Sequence, residues 1–133
     1  MDLQGGNVVG IGTDICPIER IASARARHGQ AFLDKVFTQA EQKLCLGKGN
    51  PDASLAARWA AKESVSKAFG TGIGEALNLT SIEVLEGPAG APIVNLDAKG
   101  LALLRAQGGT DILLSLSHDG GLALAYVAII QRP

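Results

Sequence analysis

Hydrophobic and polar positions follow two periods along this chain. Residues 8–15, Val-Val-Gly-Ile-Gly-Thr-Asp-Ile, read as a strand. Period two sends Val9, Ile11, Thr13 and Ile15 to one face and Val8, Gly10, Gly12 and Asp14 to the other. Glycines on the face that carries Asp14 predict a tightly packed neighbour there. Asp14 itself fits two readings, a cap for the next helix or a functional carboxylate at that contact. Pro17 suits the first position of a helix that runs to about Gly29. Arg20, Ala24, Arg27 and His28 fall on one side of it, with Ile18, Ile21 and Ala22 roughly opposite. That basic side is either a solvated face or a docking patch for an acidic partner.

A short helical turn is expected over 31–36. Thr38-Gln39-Ala40-Glu41 has the form of a capping box, and its helix reaches Leu46 with Gly47 as the stop. Residues 48–52 read as a loop. The central helix follows, with Ser54 as the expected N-cap and Gly70 and Gly72 as stops. At roughly 100° per residue, Leu55, Val65 and Phe69 share one sector. Glu63 and Lys67 share another with Ala56, Ala60 and Gly70. Small neighbours let a strand or a ligand approach Glu63, and a carboxylate in such a place needs a partner. An ordinary Glu–Lys pair one helical turn apart accounts for the same two residues.

Beyond Gly74 the pattern becomes one of strands. Residues 80–85 and 92–96 flank the turn Glu86-Gly87-Pro88-Ala89-Gly90, a hairpin signature. Asp97 can cap a helix through Leu101, Leu104 and Arg105 that ends at Gly108-Gly109. Two long apolar strands, 112–118 and 122–130, are joined by Asp119-Gly120-Gly121 and are expected at the centre of the sheet. His118 closes the first of them beside the turn, either as a structural histidine or as an exposed functional one. Residues 1–6 read as a loose polar start. Helices followed by antiparallel pairs predict an α+β fold, an antiparallel sheet packed against a long central helix.

Composition narrows the function. The 133 residues suffice for one domain, expected over 1–133, and 17 glycines call for turns and close backbone contacts. A net charge of −1 gives no general attraction to nucleic acid or an anionic membrane. No apolar run is long enough to span a bilayer and no basic-then-apolar signal segment opens the chain, so a cytoplasmic location is expected. Cys16 and Cys45 form neither a disulfide framework nor a zinc spacing and are expected as buried thiols.

The chemistry-bearing residues are a strand Asp, a helix Glu with a Lys one turn on, a glycine-rich loop and a strand-end His. Two carboxylates from different elements suit a hard divalent cation such as Mg2+, completed by water and phosphate oxygens. With a Lys and an Arg nearby and glycines that admit a nucleotide, the set points to metal-assisted phosphoryl chemistry.

Ile11-Gly12-Thr13-Asp14 followed by Trp59-Ala60-Ala61-Lys62-Glu63-Ser64 resembles the paired signature of the 4′-phosphopantetheinyl transferases. The short length, Ser66-Lys67-Ala68-Phe69-Gly70-Thr71-Gly72, Phe37-Thr38 with Glu41, and Ser115-Leu116-Ser117-His118 resemble the small bacterial type, holo-acyl-carrier-protein synthase. The resemblance runs from about Val8 to Ile130. It implies that fold and a transfer of the phosphopantetheine arm of coenzyme A to a serine of acyl carrier protein, in fatty acid biosynthesis. It implies Mg2+ on Asp14 and Glu63, Glu63 as base and Lys67 at the leaving bisphosphate. It further implies coenzyme A contacts from Arg58, Lys67, Gly70, Gly72 and His118, and carrier docking by Arg20 and Arg27. Small members are homotrimers with sites at subunit interfaces. The loop before the central helix has Lys48 but no basic cluster, where small members often have several. Three other readings compete: a non-catalytic module that binds coenzyme A or a nucleotide, a metal-dependent phosphodiester hydrolase, and a structural subunit.

Overall fold

The structure is a computed structural model that describes residues 2–3 and 5–133. Four strands form an antiparallel sheet in the order β1 (Asp2–Leu3), β2 (Gly6–Pro17), β6 (Leu122–Gln131), β5 (Asp111–Asp119). A separate hairpin pairs β3 (Ile82–Glu86) with β4 (Pro92–Leu96). The helices are α1 (Ile18–His28), α2 (Gln30–Val36), α3 (Gln39–Leu46), α4 (Pro51–Phe69) and α5 (Ala98–Ala106).

Most elements fall where the periodicity puts them. Thr38 and Glu41 close the expected capping box, with Thr38 Oγ1 accepting from the Glu41 N–H and Glu41 Oε1 from the Thr38 N–H. Asp97 caps α5 by accepting from the Gly100 N–H at 3.0 Å. Four expectations change. Asn50, not Ser54, caps α4: its Oδ1 accepts from the Ala53 N–H at 3.2 Å and Pro51 takes the first helical position, so only 48–50 of the expected loop precede the helix. Pro17 is the last residue of β2 and the N-cap of α1 rather than its first residue. The start of the chain is not all loose, because Asp2 and Leu3 pair with Asn7 and Gly6 across a turn at Gly5; Met1 and Gln4 lie outside the described residues. Only β6 is central. The hairpin β3–β4 pairs with itself, which leaves β5 bonded to β6 alone.

α4 is buried on nearly every side, with the sheet on one face and α1, α3 and β3 on others. The glycines of β2 explain its close seat. A Cβ on Gly12 would lie 2.1 Å from the Ser64 carbonyl oxygen, and one on Gly10 2.5 Å from that of Ala68. The neighbour predicted on the Asp14 face is therefore α4 backbone. The opposite face keeps Val9, Ile11, Thr13 and Ile15 exposed. Gly12→Ala has to part strand from helix, since both clashing groups are backbone. Overpacking of this kind costs about 1–3 kcal/mol. A thermal melt is expected to drop by several degrees, with turnover falling too because the same contact spaces Asp14 from Glu63. An unshifted melt would mean that the strand and helix can move apart freely.

Candidate active site

β2 delivers Asp14 to the face that meets α4, and the last two turns of α4 deliver Glu63 and Lys67 to the same place. Lys67 Nζ donates to Asp14 Oδ1 at 2.9 Å and to the Thr13 carbonyl oxygen at 3.2 Å. The Asp14 side chain is mostly shielded, at 17% exposure, whereas that of Lys67 is 53% exposed. The ammonium thus bonds Asp14 and the Thr13 carbonyl of β2 instead of closing the expected pair with Glu63 within the helix. Glu63 is half-buried. Burial pushes its carboxyl above the usual range, the Asp14 charge adds to the rise, and Lys67 opposes it. Cys16 lies buried behind the group; burial raises its thiol most, Arg20 lowers it, and Asp14 and Glu63 raise it further. Cys45 is likewise buried and unoxidised.

This donor set fits a hard divalent cation. It offers two carboxylates from two elements, and among the described residues no cluster of three or more His, Cys, Asp or Glu side chains could form a closed cage. An ion so held completes its shell with water and substrate oxygens, as Mg2+ does.

The other expected residues gather elsewhere. Arg58 and His118 line a cleft of about 330 Å³ with Lys48, Ser54, Glu86 and Ser117. Arg58 is buried; its Nε donates to the Val84 carbonyl at 3.2 Å and its Nη1 to the Ser54 hydroxyl and carbonyl. Five positions separate Arg58 from Glu63 on α4, which is about 140° around the helix. One chain therefore carries two separate groups of the expected residues, Asp14–Glu63–Lys67 and Arg58–His118. Gly70 ends α4 at φ 76° and Gly72 follows at φ 66°, conformations that favour glycine. The N–H groups of Gly70, Thr71 and Gly72 all return to the carbonyls of Ser66 or Lys67. What this loop offers a ligand is open space over its α carbons, not free donors. On α1, Arg20 and Arg27 are exposed, while Arg25 pairs with Asp52 at 2.8 Å.

Glu86 is the cleft neighbour of Arg58 and His118 that sequence reasoning missed, because it reads only as part of a turn and comes from a distant stretch; Ser54 and Ser117 stand beside the two residues in sequence but read only as a helix cap and as part of a motif. Sequence reasoning also missed the Lys67–Asp14 bond, which spans 53 positions.

The family described as the 4′-phosphopantetheinyl transferase superfamily matches residues 10–127 of the chain. A Chlamydia muridarum protein named holo-[acyl-carrier-protein] synthase is 50% identical over 92% of this chain and 94% of its own length. A Chlorobaculum parvum protein of the same name is 46% identical over 91% of this chain and 97% of its own. Among solved structures, the Neisseria meningitidis synthase superposes with a TM-score of 0.86 at 34% identity, covering 92% of this chain and 98% of that one. The Helicobacter pylori synthase in complex with coenzyme A superposes at 0.80 with 33% identity, covering 90% and 98%. Profile, relatives and backbone agree over the stretch that carries both groups of residues, and the chain belongs to the 4′-phosphopantetheinyl transferase superfamily.

Proposed function

We infer that the chain is a holo-[acyl-carrier-protein] synthase, which moves the 4′-phosphopantetheine group of coenzyme A to a serine of apo-acyl carrier protein and releases adenosine 3′,5′-bisphosphate, in fatty acid biosynthesis. The observation that carries this reading is the meeting of Asp14, Glu63 and Lys67 at one contact of β2 with α4 in a member of that superfamily. Asp14 and Glu63 would hold Mg2+. Bound there, Mg2+ neutralises charge on the diphosphate and polarises the phosphorus under attack. Glu63, whose carboxyl is raised above the usual range, is the candidate base for the carrier's serine, directly or through a water. Lys67 is exposed enough to leave Asp14 for the departing bisphosphate. Arg58 and His118 would hold the nucleotide side of coenzyme A, with Gly70 and Gly72 giving it room.

Read as halves of one site, the two groups of residues call for two chains to complete it. The outer sheet face carries the apolar surface such an assembly would cover: Ile11 is 70% and Tyr126 60% exposed, with Ile15 and Leu113 also bare. A homotrimer with sites at its interfaces fits, and light scattering should return the mass of three chains. A cytoplasmic location agrees with the finding that, among the described residues, no helix is long and apolar enough to cross a membrane.

Arg20 and Arg27 are exposed on α1, the helix that directly follows the strand carrying Asp14. Arg20→Ala, alone or with Arg27→Ala, is expected to weaken carrier binding by about fivefold per charge while leaving coenzyme A affinity within about twofold. Titrations with each ligand check this, and equal loss of both would argue against a separate docking face. The reading as a whole is tested by the mass of apo-acyl carrier protein after incubation with the protein, coenzyme A and Mg2+, beside a chelated sample. A metal-dependent gain of one phosphopantetheine group is expected. Hydrolysed coenzyme A without that gain would point to a phosphodiester hydrolase, and intact coenzyme A with no gain to a binding module.

A further inference from the structure

The cleft of Arg58 and His118 holds a resident carboxylate that the superfamily reading does not use. Glu86, at the end of β3, pairs through Oε1 with Lys48 Nζ at 2.7 Å. Both side chains are partly open, at 40% for Lys48 and 35% for Glu86. Lys48, Arg58 and His118 supply the basic groups of the cleft wall, and Glu86 is its one carboxylate among the described lining residues. The carboxyl of Glu86 is held below the usual range first by its bond to Lys48 and then by the charges of Lys48 and, more weakly, Arg58. Arg58 in turn has three of its five N–H donors engaged with Val84 and Ser54, which leaves its Nη2 pair for a ligand. The Lys48–Glu86 pair is also the wall between this cleft and a second one of about 570 Å³. Lys43 lines that second cleft, so a displaced Glu86 has a cation on its far side.

We propose that Glu86 is a specificity-determining residue of the cleft: its carboxylate sits on Lys48, beside Arg58, where a phosphomonoester of the substrate would bind, and the two anions exchange. This rests on the reading of the cleft as the nucleotide side of a coenzyme A site. A ligand that carries the terminal 3′-phosphate must displace Glu86 from Lys48. A ligand without it, dephospho-coenzyme A, leaves the pair intact. The carboxylate therefore narrows the preference for the phosphorylated form, and the effect is electrostatic and screened by salt.

The test is calorimetric titration of the assembled protein with coenzyme A and with dephospho-coenzyme A, for the wild type, Glu86→Gln and Lys48→Met. Glu86→Gln is expected to tighten coenzyme A by about threefold to fivefold at low salt, the scale of an exposed ion pair, with dephospho-coenzyme A changed by less than about twofold. Lys48→Met should weaken coenzyme A and leave dephospho-coenzyme A unchanged. The gain from Glu86→Gln should shrink at high salt. If coenzyme A binds the wild type but Glu86→Gln leaves its affinity equal or weaker, the exchange is wrong and Glu86 only positions Lys48. If both ligands gain alike, the carboxylate does not read the phosphate, and the proposal fails. If the wild type binds neither ligand, the coenzyme A reading of the cleft falls first and takes the proposal with it.

Discussion

Glu63→Gln is expected to lower turnover by about 10²–10⁴-fold, the range for loss of a positioned base, while making the metal-free protein more resistant to heat. Both effects have the same source. Burial, followed by the charge of Asp14, pushes the Glu63 carboxyl above the usual range, with Lys67 opposing. A carboxylate whose folded value lies above its unfolded one favours the fold only while protonated. That contribution is fully present below the unfolded value of about 4.3 and is lost as pH rises through the folded one. At neutral pH the ionised side chain therefore works against the fold, and glutamine removes that charge while keeping the shape. The variant should melt above the wild type at neutral pH, and the two should converge in acid below the ordinary carboxylate range. Mg2+ should then raise the wild-type midpoint by binding the folded state, with a smaller rise in the variant. Thermal melts with and without Mg2+, beside the transfer assay, read all of this. Near-normal turnover in Glu63→Gln would remove Glu63 from both the metal and the base role.

The parts of this arrangement that sequence made legible are those carried by local period and local chemistry. Alternation in β2 set its two faces, and the glycines at 10 and 12 announced a close neighbour, which is the α4 backbone at Ser64 and Ala68. The capping box at Thr38 and the cap at Asp97 are four-residue signals and were equally plain. Asn50-Pro51 was legible in principle, as a cap followed by the residue best suited to the first helical position, but it reads as a loop when Ser54 competes for the same role. The place of β5 was not legible, because strand order depends on which partners remain free after the β3–β4 hairpin closes on itself. For the site, residue types and family order singled out Asp14, Glu63 and Lys67. The separation of Arg58 and His118 from that group depends on where α4 points each turn relative to three other elements.

Lys62 shows what such reasoning overlooks. It sits one residue before Glu63 inside the resemblance and carries no role there, yet it is a fully buried charge with three hydrogen bonds. Its side chain is 0% exposed, as is that of Glu41. Nζ donates to Glu41 Oε1 at 2.8 Å, to the Leu79 carbonyl at 2.9 Å and to the Ile82 carbonyl, so all three ammonium hydrogens have acceptors. The ring of Phe37 lies 5.7 Å beneath. Glu41 accepts in addition from the Thr38 N–H at 2.9 Å and the Val84 N–H at 2.8 Å. One ion pair thus ties α4 to the cap of α3 and to β3. Burial pushes the Lys62 ammonium towards neutrality, and Glu41 holds it charged. Lys62→Met keeps the length of the stem but strands the Glu41 charge and removes the donor from two carbonyls, a loss of about 3–5 kcal/mol. Urea unfolding should show it as a lower midpoint with an unchanged slope. Adding Glu41→Gln should recover only part of the loss, since the second change removes the stranded charge but its single amide oxygen can replace just one of the two carboxylate oxygens that accept from the Thr38 and Val84 N–H groups. A loss below about 1 kcal/mol in Lys62→Met would mean that the pair is offset by its own desolvation and that packing alone seats α4 against β3. The predicted size matters for the chemistry too, because a helix freed from β3 and α3 no longer fixes the turn on which Glu63 meets Asp14.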